Sequence, residues 1–324
     1  MRALLKLLGV GALCAGMAAV AASSPGAPQP VVTGTVHQAL FAIDFDGSFG
    51  IAVGAGGEVQ ESNDSGAGWK TVTPAPTPLA LLGVGVSGQQ ALAVGQTGLV
   101  LRRETDGKWQ SVDSGTRNRL FAVNLNAAGA AVAVGAFGTV LVSTDGGRQW
   151  RSAAPAWAEF AVDGMEPHLY AADLSNDGAI TIAGEFGLIL RSRNGGKDWQ
   201  LLHKGDASLF AMDLRPDGVG YAVGQSGAVL RTTDDGATWT DLRSGSGALL
   251  LAVHSEASGR VVVTAMRELL LSRDAGDSWQ PVNVPEVGNV WYSGVGRAGG
   301  VGQAGVDAPV LAVGQAGRIV RIDL

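Results

Sequence analysis

A sixteen-residue pattern recurs along this chain at a nearly fixed interval: a glycine-bounded turn, a short apolar run, an Asp/Gly turn and a tryptophan. The clearest copy is GQSGAVLRTTDDGATW from Gly224; near-copies start at Gly54, Gly135 and Gly184. A copy one residue shorter starts at Gly95, a drifted one at Thr264, and a last one at Gly314 runs to Leu324. The opening residues are spaced 41, 40, 49, 40, 40 and 50 apart, and Trp69, Trp109, Trp150, Trp199, Trp239 and Trp279 are spaced 40, 41, 49, 40 and 40. Two independent markers share one period, and a period near forty residues marks a propeller or solenoid.

Each unit carries four short strand signals: an apolar pair such as Leu209-Phe210, or Val290-Trp291 in the last unit, an AVG-like run, a VLR-like run, and a strand opened by the tryptophan. The runs are bounded by Gly and Asp and show no helical periodicity. Most are apolar on both faces, as a blade packed between two neighbours requires. The pattern predicts an all-β, seven-bladed β-propeller of four-stranded antiparallel blades. The seventh unit stops after its third strand. Val31–Val36 precedes the first unit and is expected to complete blade 7 from the N-terminal end, closing the ring and removing its open edge.

Residues 1–22 read as a secretory signal peptide: Arg2 and Lys6, then an apolar run from Leu7 to Ala22 that is short for a membrane span. Residues 23–30 form a Pro/Ala/Ser linker and 31–324 the propeller. The single cysteine, Cys14, lies in the signal, so the exported chain relies on packing rather than disulfides. Without Arg2 and Lys6 the chain has 21 basic and 29 acidic residues, net −8, which argues against a general nucleic-acid binder. The expected compartment is the periplasm, or the thylakoid lumen in a photosynthetic host, and the expected state a monomer that does not span the membrane.

The motif S/T-x-D/N-x-G-x-x-W places Asp64, Asp145, Asn194, Asp234 and Asp274 ahead of Trp69, Trp150, Trp199, Trp239 and Trp279. This is the Asp box. Its carboxylate or amide accepts backbone N–H bonds in the turn, its glycine takes a positive φ, and its tryptophan fills the gap between strands. Blade 2 keeps only Asp106, Gly107 and Trp109. One or two acids per turn are too few oxygens for Ca²⁺. The two G-x-G-x-x-G matches, at Gly83 and Gly294, precede no helix, so no dinucleotide site is expected. His37, His168, His203 and His254 lack metal-ligand spacing and read as ordinary polar residues. No cofactor is expected.

Leu209-Phe210-Ala211-Met212-Asp213, then Tyr221-Ala222-Val223-Gly224, then Leu230 to Gly236 before Trp239, resemble the Ycf48-type photosystem II stability and assembly factors. The resemblance runs from about Leu40 to Leu324. It implies an exported, non-enzymatic propeller that helps assemble a membrane complex by binding a newly made subunit. Blades 2 and 6 depart from the pattern, as do two insertions, at 151–168 and 294–309.

Asp boxes also occur in sialidases, so a glycan-binding or glycoside-hydrolase-like propeller is the alternative. The Arg-Ile-Pro signature is absent, and Tyr170 and Tyr221 fall at apolar repeat positions and read as core. Asp44, Asp173 and Asp213, with Asn124 and His254 at equivalent places, suggest turn chemistry near the channel mouth rather than a catalytic pair.

Two features suggest a protein-binding surface. Arg102, Arg191, Arg231 and Arg321 recur at the end of third strands, either as salt bridges to neighbouring blades or as a basic stripe for an acidic peptide. The turns between second and third strands are small or polar in most blades but hold Phe137 in blade 3 and Phe186 in blade 4. The long loop between those blades adds Trp157, Phe160 and Met165. Aromatic anchors on one face mark a partner site, unless the loop folds down and they pack on each other.

Overall fold

The computed structural model describes residues 27–160, 164–299 and 308–323; the expected signal peptide lies outside them. The described residues form seven four-stranded antiparallel sheets, six of them simple meanders in chain order and the seventh completed by a strand from the N-terminal end. The innermost strands are Leu40–Asp46, Leu81–Ser87, Leu120–Leu125, Leu169–Leu174, Leu209–Leu214, Leu250–Ser255 and Tyr292–Arg297. The strand that completes blade 7 is Gln29–Val32, antiparallel to Ile319–Ile322 with Gln29 opposite Arg321 and Val32 opposite Ile319. It therefore starts inside the expected linker and ends four residues before the expected Val36. Gln38 N–H donates to the carbonyl of Thr35, and Thr35 N–H to the Gln38 side chain, so the chain turns toward blade 1 there. Pro30, which has no N–H to give a central ladder, is tolerated on this outermost strand.

The core lies between blades. Second and third strands are buried on both faces: Ile51, Ala52, Val53, Leu92, Val132 and Val134 are fully enclosed. Val132, Val134, Leu169 and Ile182 belong to one such cluster, joining blades 3 and 4.

Near the axis the inner strands crowd. A Cβ on Gly83 would sit 2.8 Å from the Phe121 carbonyl of the next blade, and one on Gly294 would sit 3.1 Å from Phe41 O. The glycines of the two G-x-G matches thus let blade 2 approach blade 3, and blade 7 approach blade 1. Gly294 and Gly296 belong to the inner strand of blade 7, so the insertion in that blade follows Arg297 instead of beginning at Gly294. The register also shifts the expected first-strand pair of this blade from Val290-Trp291 to Tyr292-Ser293, because Tyr292 sits opposite Gly314 as Leu40 sits opposite Gly54.

The Asp boxes occupy the turns between third and fourth strands. In blade 5, Thr232 Oγ1 accepts from Gly236 N–H at 2.9 Å, Asp234 Oδ1 from Thr238 N–H at 2.9 Å, and Trp239 Nε1 donates to Gly236 O at 3.1 Å. Ser62/Asp64/Trp69 and Ser143/Asp145/Trp150 repeat the scheme. Ser272 and Asp274 repeat its turn bonds in blade 6. In blade 4 the amide of Asn194 replaces the carboxylate, and Trp199 donates across the blade boundary to Ala153 O. These hydrogen bonds hold the carboxyls of Asp64, Asp145 and Asp274 below the ordinary value, and that of Asp234 at about 2.

Candidate functional site

Inner strands start on the face that carries the turns between second and third strands; the Asp boxes lie on the other. In all seven turns the second residue has a left-handed backbone: Gly56, Thr97, Phe137, Phe186, Ser226, Arg267 and Ala316 lie at φ of 53–63°. That conformation is strained for a bulky side chain. Phe137 nevertheless occupies it with 60% of its surface exposed, where packing offsets little of the strain.

The second residue of each inner strand faces the central channel, a space of about 240 Å³ lined by Phe41, Leu82, Phe121, Tyr170, Phe210, Leu251 and Ser293, with the residues that follow them. On the side of blades 3–5 the rings join into a continuous path. Phe137 packs edge-on against His168 at 5.1 Å between centroids, and His168 meets Phe121 at 6.2 Å and Tyr170 at 6.4 Å. Tyr170 lies 5.3 Å from Phe121 and 5.0 Å from Phe210. On the far side Trp291 stacks on Phe41 at 6.0 Å.

His168 organises this path. Its Nδ1 accepts the backbone N–H of Phe137 at 3.0 Å, which places the neutral ring's proton on Nε2. Its own N–H donates to Glu185 Oε2 at 2.8 Å. The Tyr170 phenol is raised above its ordinary value by burial, then by the Glu185 charge and a hydrogen bond to it. His168 and Tyr170, read from sequence as an ordinary polar residue and a core residue, are thus parts of the channel mouth. The signal was present: Tyr170 stands in the same column as Phe41, Phe121 and Phe210. Tyr221, by contrast, is fully enclosed, its hydroxyl donating to Ala275 O.

The loop between blades 3 and 4 divides its aromatic residues. Trp157 is buried, donates Nε1 to Gly138 O at 3.1 Å, and joins the cluster between the two blades; it is a plug and not an exposed anchor. Phe160 is half-buried against the same cluster. Met165 is 54% exposed, and Phe186 is half-buried at its turn.

The arginines do not form an open stripe. Arg102 and Arg191 are buried, and each reaches the Asp-box turn of the next blade: Arg102 Nε donates to Gly146 O at 2.7 Å, and Arg191 to the carbonyl of Asp235. Arg231, partly exposed, donates to Ala275 O at 2.8 Å and pairs with Asp277. Arg321 pairs with Asp323. A guanidinium donates in a planar fork, so it can satisfy a turn carbonyl and a carboxylate together.

Two of the inner-strand carboxylates, Asp44 and Asp213, are also engaged between blades. Asp44 accepts Val86 N–H at 2.7 Å, and Asp213 accepts Ser255 N–H at 2.6 Å. Burial raises Asp44 and Asp173 to about 7, with the charge of Asp213 adding to the latter. Among the described residues no three His, Cys, Asp or Glu side chains gather as metal ligands, and no helix is long and apolar enough to cross a membrane.

Residues 101–207 match the family model described as photosynthesis system II assembly factor YCF48. That stretch contains Phe121, Phe137, His168, Tyr170 and Glu185. No curated protein matches the chain. Among solved structures, one described as YCF48 bound to D1 peptide superposes with a TM-score of 0.69 at 17% identity, over 94% of this chain and 98% of that one. YCF48 from Cyanidioschyzon merolae gives 0.70 at 18% identity, over 92% and 99%. The structure of U3-55K gives 0.71 at 11% identity, over 93% and 100%. Structural likeness at these identities shows the propeller fold; the sequence match over 101–207 points to the Ycf48 type.

Proposed function

We propose that this Ycf48-like propeller is an exported, non-enzymatic assembly factor that grips an extended segment of a membrane-protein client at its channel mouth. The observation that carries this is the aromatic path from Phe137 through His168 to Tyr170, Phe121 and Phe210. It is half-open to solvent and begins at a phenylalanine held in a strained conformation with little packing in return. Every blade uses the left-handed turn, but only blade 3 fills it with a largely exposed phenylalanine, and exposed aromatic surface supplies binding energy to a partner. The solved YCF48 propeller described as bound to a D1 peptide supports a peptide as the ligand. The client belongs to photosystem II in a photosynthetic host and to another membrane complex elsewhere. The compartment is the periplasm or thylakoid lumen.

Against the glycosidase alternative, two of its three candidate acids, Asp44 and Asp213, accept backbone N–H groups of the next blade. The test is site-specific photo-crosslinking. A photoreactive residue replaces Phe137, and a second variant carries it at Ser278 in an Asp box on the opposite face. Each is incubated with detergent-solubilised host membranes. One membrane protein crosslinked from position 137, and not from 278, supports the proposal. Equal or absent crosslinking at both positions would remove the channel mouth as the docking site.

A further inference from the structure

The mouth contains one charge that the fold does not require. Glu185 opens the turn between the second and third strands of blade 4, and its carboxylate accepts the N–H of His168, the residue before the inner strand. Blade 2 solves the same problem with a neutral group: Gln96 Oε1 accepts the N–H of Ala80 at 3.0 Å, at the equivalent position. Blades 5 and 7 also place glutamine there, at Gln225 and Gln315. A carboxamide therefore meets the structural need, and the negative charge at 185 calls for another explanation. Its carboxylate holds the backbone N–H of His168, whose ring meets Phe121, Phe137 and Tyr170, and its charge acts on the Tyr170 phenol. No Lys or Arg lines the channel among the described residues.

Resting on the docking site proposed above, we propose that this mouth recognises a lysine or arginine side chain of the docked segment, set against Tyr170 and Phe121 and facing the Glu185 carboxylate. Aromatic faces attract a cation through their quadrupole, and a half-buried carboxylate beside them adds a charge-assisted hydrogen bond. Aliphatic residues flanking that cation would lie on Phe137 and Phe210. The charge thus specifies the partner's chemistry, an apolar extended segment with one basic residue. Arg119, exposed on the blade 3 rim, is the competing determinant and would favour an acidic residue instead.

The experiment uses three fluorescein-labelled, amidated heptapeptides of alternating Ala and Leu that differ only at the centre: Lys, Gln or Glu. Binding to the propeller is read by fluorescence anisotropy at low salt. The Lys peptide is expected to bind about tenfold more tightly than the Gln peptide. In Glu185→Gln, whose fold is safeguarded by the Gln96 precedent, the preference should shrink to within about twofold. Asp106→Asn removes the same charge on the opposite face and should leave the preference intact, which excludes net charge as its cause. Circular dichroism melts of each variant verify folding. Equal binding of all three peptides overturns the cation-reading proposal while leaving the docking site standing. So does a Glu preference that disappears in Arg119→Ala. Absence of binding by every peptide, together with no crosslink from position 137, fells the docking site itself.

Discussion

Arg231 donates from Nη1 to the carbonyl oxygen of Ala275, 2.8 Å away and 44 residues further along the chain. The same 44-residue step joins Arg102 to Gly146, Arg191 to Asp235, and Arg151 to Gly195. The acceptor is always the left-handed residue of the next blade's Asp-box turn, at φ of 57–72°. In blade 3 the third-strand position holds Val142, and Arg151, its partner on the neighbouring strand, supplies the guanidinium. At the boundary of blades 1 and 2 the polarity is reversed: Glu61 of blade 1 receives a bidentate pair from Arg103 of blade 2. The arginines and the Asp boxes are thus one device for locking neighbouring blades.

That device predicts a graded loss of stability. Arg102 is 2% exposed and fills its site, so Arg102→Ala leaves a cavity and an unsatisfied carbonyl and should cost about 2–4 kcal/mol. Arg231 has a 26% exposed side chain, and Arg231→Ala should cost about 1 kcal/mol. Urea unfolding checks the order. If both variants unfold at the wild-type midpoint, the arginines do not lock the blades.

Within the Asp box, the hydroxyl and the carboxylate should behave differently. Ser143 Oγ accepts the buried N–H of Gly147 at 3.0 Å, so Ser143→Ala strands that donor and should cost about 1–2 kcal/mol. Asp234→Asn should leave the melting temperature near wild type at neutral pH, because Asn194 already performs the same turn bonds in blade 4. The variant should differ in acid. A carboxyl depressed to about 2 in the fold stabilises above its unfolded value near 3.8, and that contribution is lost as pH falls toward 2. The substituted protein lacks this part of the acid limb, which melts between pH 2 and 5 would reveal.

The repeat made the fold readable because one period fixes strand number, turn placement and closure together. It failed where local geometry departs from the period. In blade 7, a two-residue offset moved the inner strand from Val290-Trp291 to Tyr292-Ser293, a register that only pairing with Gly314 reveals. Phe137 stood out because a phenylalanine replaces small or polar residues in a turn. Trp157 stood out equally, yet it is buried, since its indole fits the space over Gly138 and no sequence pattern encodes that cavity. His168 passed unnoticed because its role comes from neighbours on two blades, Phe121 and Phe137 on one and Tyr170 on the other.

Phe137 and Trp157 should therefore separate binding from stability. Phe137→Gly relieves a left-handed phenylalanine and should raise stability by up to about 1 kcal/mol, even as it weakens client capture. Trp157→Ala empties a buried site and should cost about 3–5 kcal/mol. Thermal melts and crosslinking yield, measured on the same two proteins, test this. A Phe137→Gly variant that is less stable than wild type would mean the ring supports the fold and is not held at its expense.

Asp44 gives the chain a pH dependence of definite sign. Burial raises its carboxyl to about 7, so between pH 3.8 and 7 the folded protein holds a proton that the unfolded chain has released. Stability must then fall as pH rises through that window, because the unfolded state binds fewer protons there than the native state. Asp44→Asn keeps an oxygen to accept the Val86 N–H and removes the titration. The difference in unfolding free energy between wild type and variant, measured at pH 4.5, 5.5, 6.5 and 7.5, isolates Asp44 from every other group. The variant should gain on the wild type at each step, and the gain should level off above about pH 7. Parallel curves would mean that Asp44 stays ionised in the fold, with the channel wall solvating its charge.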